Sequence, residues 1–273
     1  MKYSRRSFLV AAAGACGAVV GGDAFAVEPA KVLVSRHELP IPGLGRAFDG
    51  MRLAQVTDVH FPGNVAAARA ALAHLRREKP EIVVITGDMT EHTEALATVA
   101  EFARQARGSL ATVATLGNWE YLARAASRAA EAYRSVGVDL LVNAHRDIRI
   151  GDSSLALVGL DDPLLGHPDL LGARAGLPSD SSEIWLVHAP GFASHPPDVS
   201  GVPAFILSGH THGGQIRLPF LPAYTPEGSG RFVAGWYRDT FAPLYVSRGI
   251  GTTTLPARFN CPPELPIFTL RRA

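Results

Sequence analysis

Residues 51–60 read Met51-Arg52-Leu53-Ala54-Gln55-Val56-Thr57-Asp58-Val59-His60, an apolar run that stops on two side chains able to bind metal. Its composition predicts a strand over residues 51–57. Working outward, residues 65–78 form an Ala-rich helix ended by Pro80, 82–86 a buried strand, 93–107 a helix, 112–116 a strand and 120–136 a helix. Alternation of this kind implies parallel strands covered by helices. Chemistry in such sheets collects at the carboxyl ends of the strands, which is where Asp58 and His60 stand.

The second half has a different rhythm. Strand candidates follow closely at 139–142, 148–150, 155–160, 184–188, 204–208, 215–218, 244–247 and 267–271, with few helical stretches between them. A second, mixed sheet is expected, and two sheets packed face to face with helices outside make a layered α/β sandwich. No Pro/Gly-rich linker divides the halves, so residues 27–273 are expected to be one domain. The Pro-rich segments 195–203 and 219–226 read as loops. The apolar loop 218–224, which opens Leu218-Pro219-Phe220-Leu221-Pro222, is expected to be ordinary core packing under a loop; guiding a lipid-like substrate or touching a membrane is the alternative.

Residues 1–26 are expected to be a twin-arginine signal peptide. Ser4-Arg5-Arg6-Ser7-Phe8-Leu9 carries the arginine pair, an apolar run extends from Phe8 to Gly22, and Ala24-Phe25-Ala26 suits a signal peptidase. The run is short for a spanning helix, which needs roughly 20 residues. A retained anchor is the alternative, and a lipoprotein at Cys16 is disfavoured because Ala13 stands where Leu is expected. Export by the twin-arginine machinery would place the protein in the periplasm or on the outer face of the cytoplasmic membrane.

At 47% hydrophobic residues the chain can build a sizeable core. The net charge is +1, and −1 once residues 1–26 are removed, so no nucleic-acid partner is expected. Cys261 would be the mature chain's single cysteine, which excludes an intrachain disulfide.

Five segments, each after an apolar strand, offer metal ligands: Thr57-Asp58-Val59-His60, Gly87-Asp88, Gly117-Asn118-Trp119-Glu120, Val187-His188-Ala189 and Gly209-His210-Thr211-His212-Gly213-Gly214-Gln215. Asp58 and His60 are two apart, so in an extended chain they project to one side, and His210 and His212 repeat the pattern. Any one segment means little, since an Asp near a strand end commonly caps a helix. The ordered set is what points to a metal site.

In these motifs the chain resembles the calcineurin-like metallophosphoesterase family, over about residues 51–216. The extended Gly-His-Thr-His-Gly-Gly-Gln ending, with Ser247-Arg248-Gly249 and Arg258-Phe259-Asn260-Cys261-Pro262-Pro263 further on, is similar to a bacterial branch often exported by the twin-arginine route. The resemblance implies a four-layer α-β-β-α sandwich with a dinuclear centre. Asp58, His60 and His212 would bind one divalent ion, Asn118, His188 and His210 the other, and Asp88 would bridge them. Asp88, Asn118 and His210 are the residues implied for catalysis. This donor set suits Mn, Fe or Zn, and paired ions at roughly 3.5–4 Å acidify a shared water and neutralise phosphate oxygens.

One position departs from the family. Its Gly-Asn-His-Glu/Asp motif reads Gly117-Asn118-Trp119-Glu120 here, and in relatives that His is placed to protonate the leaving oxygen. An indole donates one hydrogen bond but delivers no proton. Good leaving groups, such as a phosphoanhydride or an aryl phosphate, are therefore expected, or another acid such as His92. Arg217 and Arg258, with Arg248, are candidate phosphate clamps. Asp161-Asp162-Pro163 is read as a plain turn or as an outer support for ligands. His37, His74, His145, His167 and His195 are taken as structural or exposed.

The expected function is a metal-dependent hydrolase of phosphoric esters or anhydrides, acting on a small, lipid-linked or nucleotide-like substrate. The alternative is an exported metal-binding protein with weak or lost catalysis that binds an envelope partner.

Overall fold

Side chains of the strands β2 (Arg52–Val56) and β3 (Ile82–Thr86) alternate between two cores. Leu53, Ile82 and Val84 enter an apolar core shared with the second half of the chain, whereas Ala54, Val56, Val83 and Ile85 enter another built with helices. The two-residue period of an extended chain produces this sorting. The computed structural model describes residues 21–178 and 180–273.

Helices α1 (Val65–Glu78), α2 (Leu96–Gln105) and α4 (Ala126–Arg134) supply the outer face of the first core. Asn64 starts α1 by accepting from the Ala67 amide at 3.0 Å, and Lys79, in the left-handed region ahead of Pro80, ends it. The first sheet orders its strands β1 (Leu33–Ile41), β12 (Glu264–Arg272), β2, β3, β4 (Ala111–Thr115) and β5 (Asp139–Leu140). The second orders β10 (Gly235–Tyr237), β11 (Leu244–Val246), β9 (Phe205–Ser208), β8 (Glu183–Leu186), β7 (Ser153–Gly159) and β6 (Ala144–Ile150).

Leu157, Ile184, Leu186 and Leu207 meet the first sheet's inner face, and Trp185, Val187 and Ile206 face a third core. Three cores separate four layers, in accord with the expected α-β-β-α sandwich. The fourth layer is thin: α5 (Leu170–Ala173), a short turn at Pro190–Ser194 and loops. Between the sheets, buried Gln55 of β2 donates to the Ser208 carbonyl of β9 at 3.0 Å. Strands β2 to β5 run parallel, as do β7, β8, β9 and β11.

Some expectations need correction. The helix expected over 120–136 is two, α3 (Asn118–Leu122) and α4, broken at Arg124, whose φ of 54° no helix contains. Residues 215–218 form no strand, because Gly213, Gly214 and Gln215 all take positive φ; a single bridge joins Ile216 to Phe259. Strands β1 and β10 were not expected. The C-terminal strand β12 joins the first sheet, parallel to β1 and antiparallel to β2, rather than extending the second.

The arginine pair and Cys16 lie outside the described residues. Ala24 is buried and its carbonyl accepts from the Arg258 amide at 2.9 Å, so a cut after Ala26 would remove that contact. Cys261 is buried and free. No described helix is long and apolar enough to cross a membrane.

Candidate metal centre

The carboxyl ends of β2, β3, β4, β8 and β9 bring Asp58, His60, Asp88, Asn118, His188, His210 and His212 together. They do so by turning rather than by extension. Asp58, His60, Asp88, His210 and His212 have φ between 50° and 71°, so the extended-chain geometry expected for the two alternating pairs does not hold. Left-handed backbone costs about 1–3 kcal/mol at a non-glycine residue and is commonest for Asp, Asn and His. Each loop thus curls its side chains inward at the strand end. Gly87, at φ 84°, has no room for a side chain: a Cβ there would sit 2.6 Å from His188 Nδ1.

Two buried triads result, Asp58 with His60 and His212, and Asp88 with His188 and His210, the candidate ligand atoms of each lying within 4.8 Å of one another. Asp88 Oδ2 lies 3.0 Å from His188 Nε2 and 3.8 Å from His60 Nε2, so one carboxylate touches both groups. Asn118 joins the second, its Oδ1 2.9 Å from His210 Nδ1.

The donor atoms fit a metal. His188 Nδ1 donates to the Thr86 carbonyl at 2.7 Å, which turns the buried Nε2 toward Asp88 Oδ2, 3.0 Å away, as the nitrogen able to take a metal. His210 Nε2 donates to the Glu227 carbonyl at 2.6 Å, so its Nδ1 lone pair faces the Asn118 oxygen, two acceptors with no proton between them. Burial, reinforced by His188, pulls His210 down to about 4, and burial together with His60 and Arg258 pulls His212 well below the usual imidazole range. Both rings are neutral, as ligands must be. Burial works against a proton on His188, but Asp88 overrides it and holds the ring up at about 10. Against burial, the same contact with His188 keeps Asp88 down at about 2.

This geometry accords with the family whose model, described as Calcineurin-like phosphoesterase, matches residues 51–214. The chain belongs to that family. Among its relatives is the uncharacterized metallophosphoesterase YkuE of Bacillus subtilis, 30% identical over 99% of this chain and 98% of its own length. The phosphodiesterase YaeI of Escherichia coli is 27% identical over 98% of this chain and 99% of its own. A transmembrane protein with metallophosphoesterase domain from Danio rerio is 27% identical over 91% of this chain and 59% of its own length.

The calcineurin-like site has supports that sequence patterns missed. Glu91 Oε1 stands 3.1 Å from His60 Nδ1 and accepts from the Thr253 hydroxyl at 3.1 Å, orienting the imidazole from behind. Nothing in the local sequence marks it. The Glu120 carboxylate accepts from the amides of Asp88, Met89 and Gly117 at 3.0, 2.6 and 2.8 Å, so it ties the β3 and β4 loops together. Burial and the nearby Asp88 push this carboxyl up to about 7.

Other candidates fall elsewhere. Arg258 is fully buried, and all its nitrogens face carbonyls of His212, Arg248, Gly249, Gly251 and Cys261. It binds the loops behind His212 and has no donor left for phosphate. Arg217 donates to the Gly213 carbonyl at 2.6 Å, and Arg248 pairs with Glu264 at 3.3 Å. His92 is exposed and does not line the cavity over the metal ligands. Asp162 accepts from the Leu164 and Leu165 amides, which is the turn reading. His37, His74, His145, His167 and His195 lie outside both triads.

Trp119 is the second residue of α3, and its amide donates to Asp88 Oδ1 at 2.8 Å. Its ring stands edge-on to His60, centroids 5.8 Å apart. The indole thus walls the site beside His60.

Proposed function

We propose that the chain hydrolyses phosphoric esters or anhydrides with two divalent ions, one held by Asp58, His60 and His212 and the other by Asn118, His188 and His210, with Asp88 between them. The observation that carries this reading is the pair of buried triads meeting at the Asp88 carboxylate. When bound, such ions acidify a water and neutralise phosphate oxygens. The donor set suits Mn, Fe or Zn. The chain's own residues orient the ligands: Thr86 and Glu227 set imidazole tautomers, Glu91 backs His60, and Glu120 holds the Asp88 loop.

Trp119 limits the reaction. With no imidazole there to protonate the departing oxygen, leaving groups that depart as stable anions are favoured. The twin-arginine pattern supports export to the periplasm or the outer face of the cytoplasmic membrane, with the twin-arginine machinery as a partner. The family likeness of a protein named as transmembrane is consistent with work near a bilayer. The near-neutral charge supports a small phosphorylated substrate, lipid-linked or nucleotide-like, over nucleic acid.

The test is metal analysis of the purified chain followed by assays on bis-aryl and mono-aryl phosphates with Mn. Two ions per chain, with turnover that vanishes in Asp88→Ala, is the expected result. Two ions with no turnover on any activated ester would instead favour a metal-binding protein that recognises an envelope partner, a reading to which Trp119 lends weight.

A further inference from the structure

A cavity of about 540 Å³ opens over Asp88, Asn118 and His210. Its walls are mostly apolar: Trp119, Leu122, Ile216, Tyr224 and Leu255 line it, with Gln215 and three threonines between them. A site for a small, strongly hydrated phosphate would surround its ligand with polar groups, whereas these walls suit an apolar substituent on the phosphorus. The loop between Ile216 and Tyr224 leaves the wall and carries Leu218, Phe220 and Leu221 outward. Phe220 is fully exposed, at 105% of its reference area, and Leu122, Leu221, Tyr224 and Leu255 are each more than half exposed. The sequence expectation that this stretch packs over the core is overturned.

Two features say what covers this face. From Leu218 to Pro226 the chain bears no charged residue, so nothing there resists transfer into hydrocarbon. Phe220 is also held out at φ 67°, a conformation unfavourable for a bulky side chain, between Pro219 and Pro222. The N-terminal part of the described chain is tied to a segment that leads to the same cavity. Phe25 and Val27 are more than half exposed, Ala24 accepts from the Arg258 amide, and Leu255 lies three residues before Arg258. In sequence, residues 8–20 are apolar and uncharged, so where they are retained they add affinity for lipid.

We propose that this face docks onto a lipid bilayer, and that the phosphoester reaching the metal site is membrane-resident, its apolar part lying against Trp119, Ile216 and Tyr224. The substrate half of the inference rests on the hydrolase reading above; the docking half does not. The phosphate would enter with its lipid portion still at the bilayer, so the enzyme has no need to extract the whole molecule into water.

The test uses the full chain, Mn and vesicles of phosphatidylcholine with phosphatidylglycerol. Sedimentation measures partition, and two esters share one leaving group: soluble bis-p-nitrophenyl phosphate and vesicle-embedded phosphatidyl-p-nitrophenol. The double variant Phe220→Asn/Leu221→Ser, which suits the left-handed backbone at 220, should lower partition about tenfold or more and turnover of the embedded ester by a similar factor. Turnover of the soluble ester should remain unchanged. Leu171→Ser, an exposed leucine on α5, should leave partition alone. Equal partition of the wild type and the double variant overturns the proposal, as does an equal loss on both esters. A dimer that dissociates in the double variant, with no change in partition, would make the face an interface between copies and also overturn it. If neither ester is cleaved while partition still depends on Phe220 and Leu221, docking stands and the hydrolase reading fails.

Discussion

His60 and His212, 152 residues apart in sequence, hold their Nε2 atoms 2.9 Å apart in the buried centre of the site. Asp58 Oδ1 lies 3.6 Å from the same His212 nitrogen. Two imidazole nitrogens so placed gain from a cation that both can ligate. His212→Ala should therefore drop the bound metal from two ions to about one while the second triad stays loaded. Elemental analysis after dialysis measures it; two ions retained would remove His212 from the ligand set.

Glu91 acts through His60. Glu91→Ala should weaken metal binding at the first triad by about 10–100-fold, the usual cost of losing an outer carboxylate behind a ligating imidazole. Competition with a chelator of known affinity reads the change, and Glu91→Gln should recover part of it. An unchanged affinity would show that His60 needs no support from behind.

Metal loading should be coupled to pH. In the metal-free protein Asp88 holds His188 at about 10, so near neutrality the ring is protonated and must shed that proton to bind an ion. Affinity should then fall about tenfold for each unit of pH decrease below that value. His210, at about 4, is already neutral and adds no slope near pH 7. Titration calorimetry in two buffers of different ionisation heat should show at least one proton released per chain loaded. A heat independent of buffer would contradict the assignment.

Arg258→Met should destabilise the fold rather than abolish phosphate binding. The change strands several buried carbonyls, with a loss of about 3 kcal/mol or more. For a chain of this size that is about 6–12 °C in Tm. A thermal melt of the metal-free chain is the measurement, and an unshifted midpoint would return Arg258 to the list of ligand-binding residues.

Trp119→His should widen the range of leaving groups. With metals retained, turnover of alkyl phosphates should rise by about 10²-fold, within the range of general acid assistance, and aryl phosphates should gain little. No gain on alkyl esters would mean that Trp119 is not what limits them.

The seven candidate ligands could be picked out because a two-metal site demands particular residue types after particular strands, and the structure brings them to one end of the sheets. Helix α1 and strand β3 were legible to the residue, since Asn64, Pro80 and the Ile82–Thr86 run are local signals. Strand β12 was misassigned for the opposite reason: its insertion between β1 and β2 depends on pairing across more than 200 residues, which no local pattern carries. Glu91 and Arg258 show the same limit at the site. A carboxylate and a guanidinium look alike on a surface, at a phosphate or buried behind an imidazole until the neighbours are known.

By itself, then, the sequence determined the alternating α/β chain and the placement of candidate ligands at strand ends, because propensity, period and coordination chemistry are local properties. Only the tertiary structure decided that the ligand loops curl through left-handed backbone, that Asp88 touches both triads, and that Phe220 faces solvent beside an apolar cavity. Those outcomes depend on which distant segments exclude water from one another, and that is settled when the two sheets close.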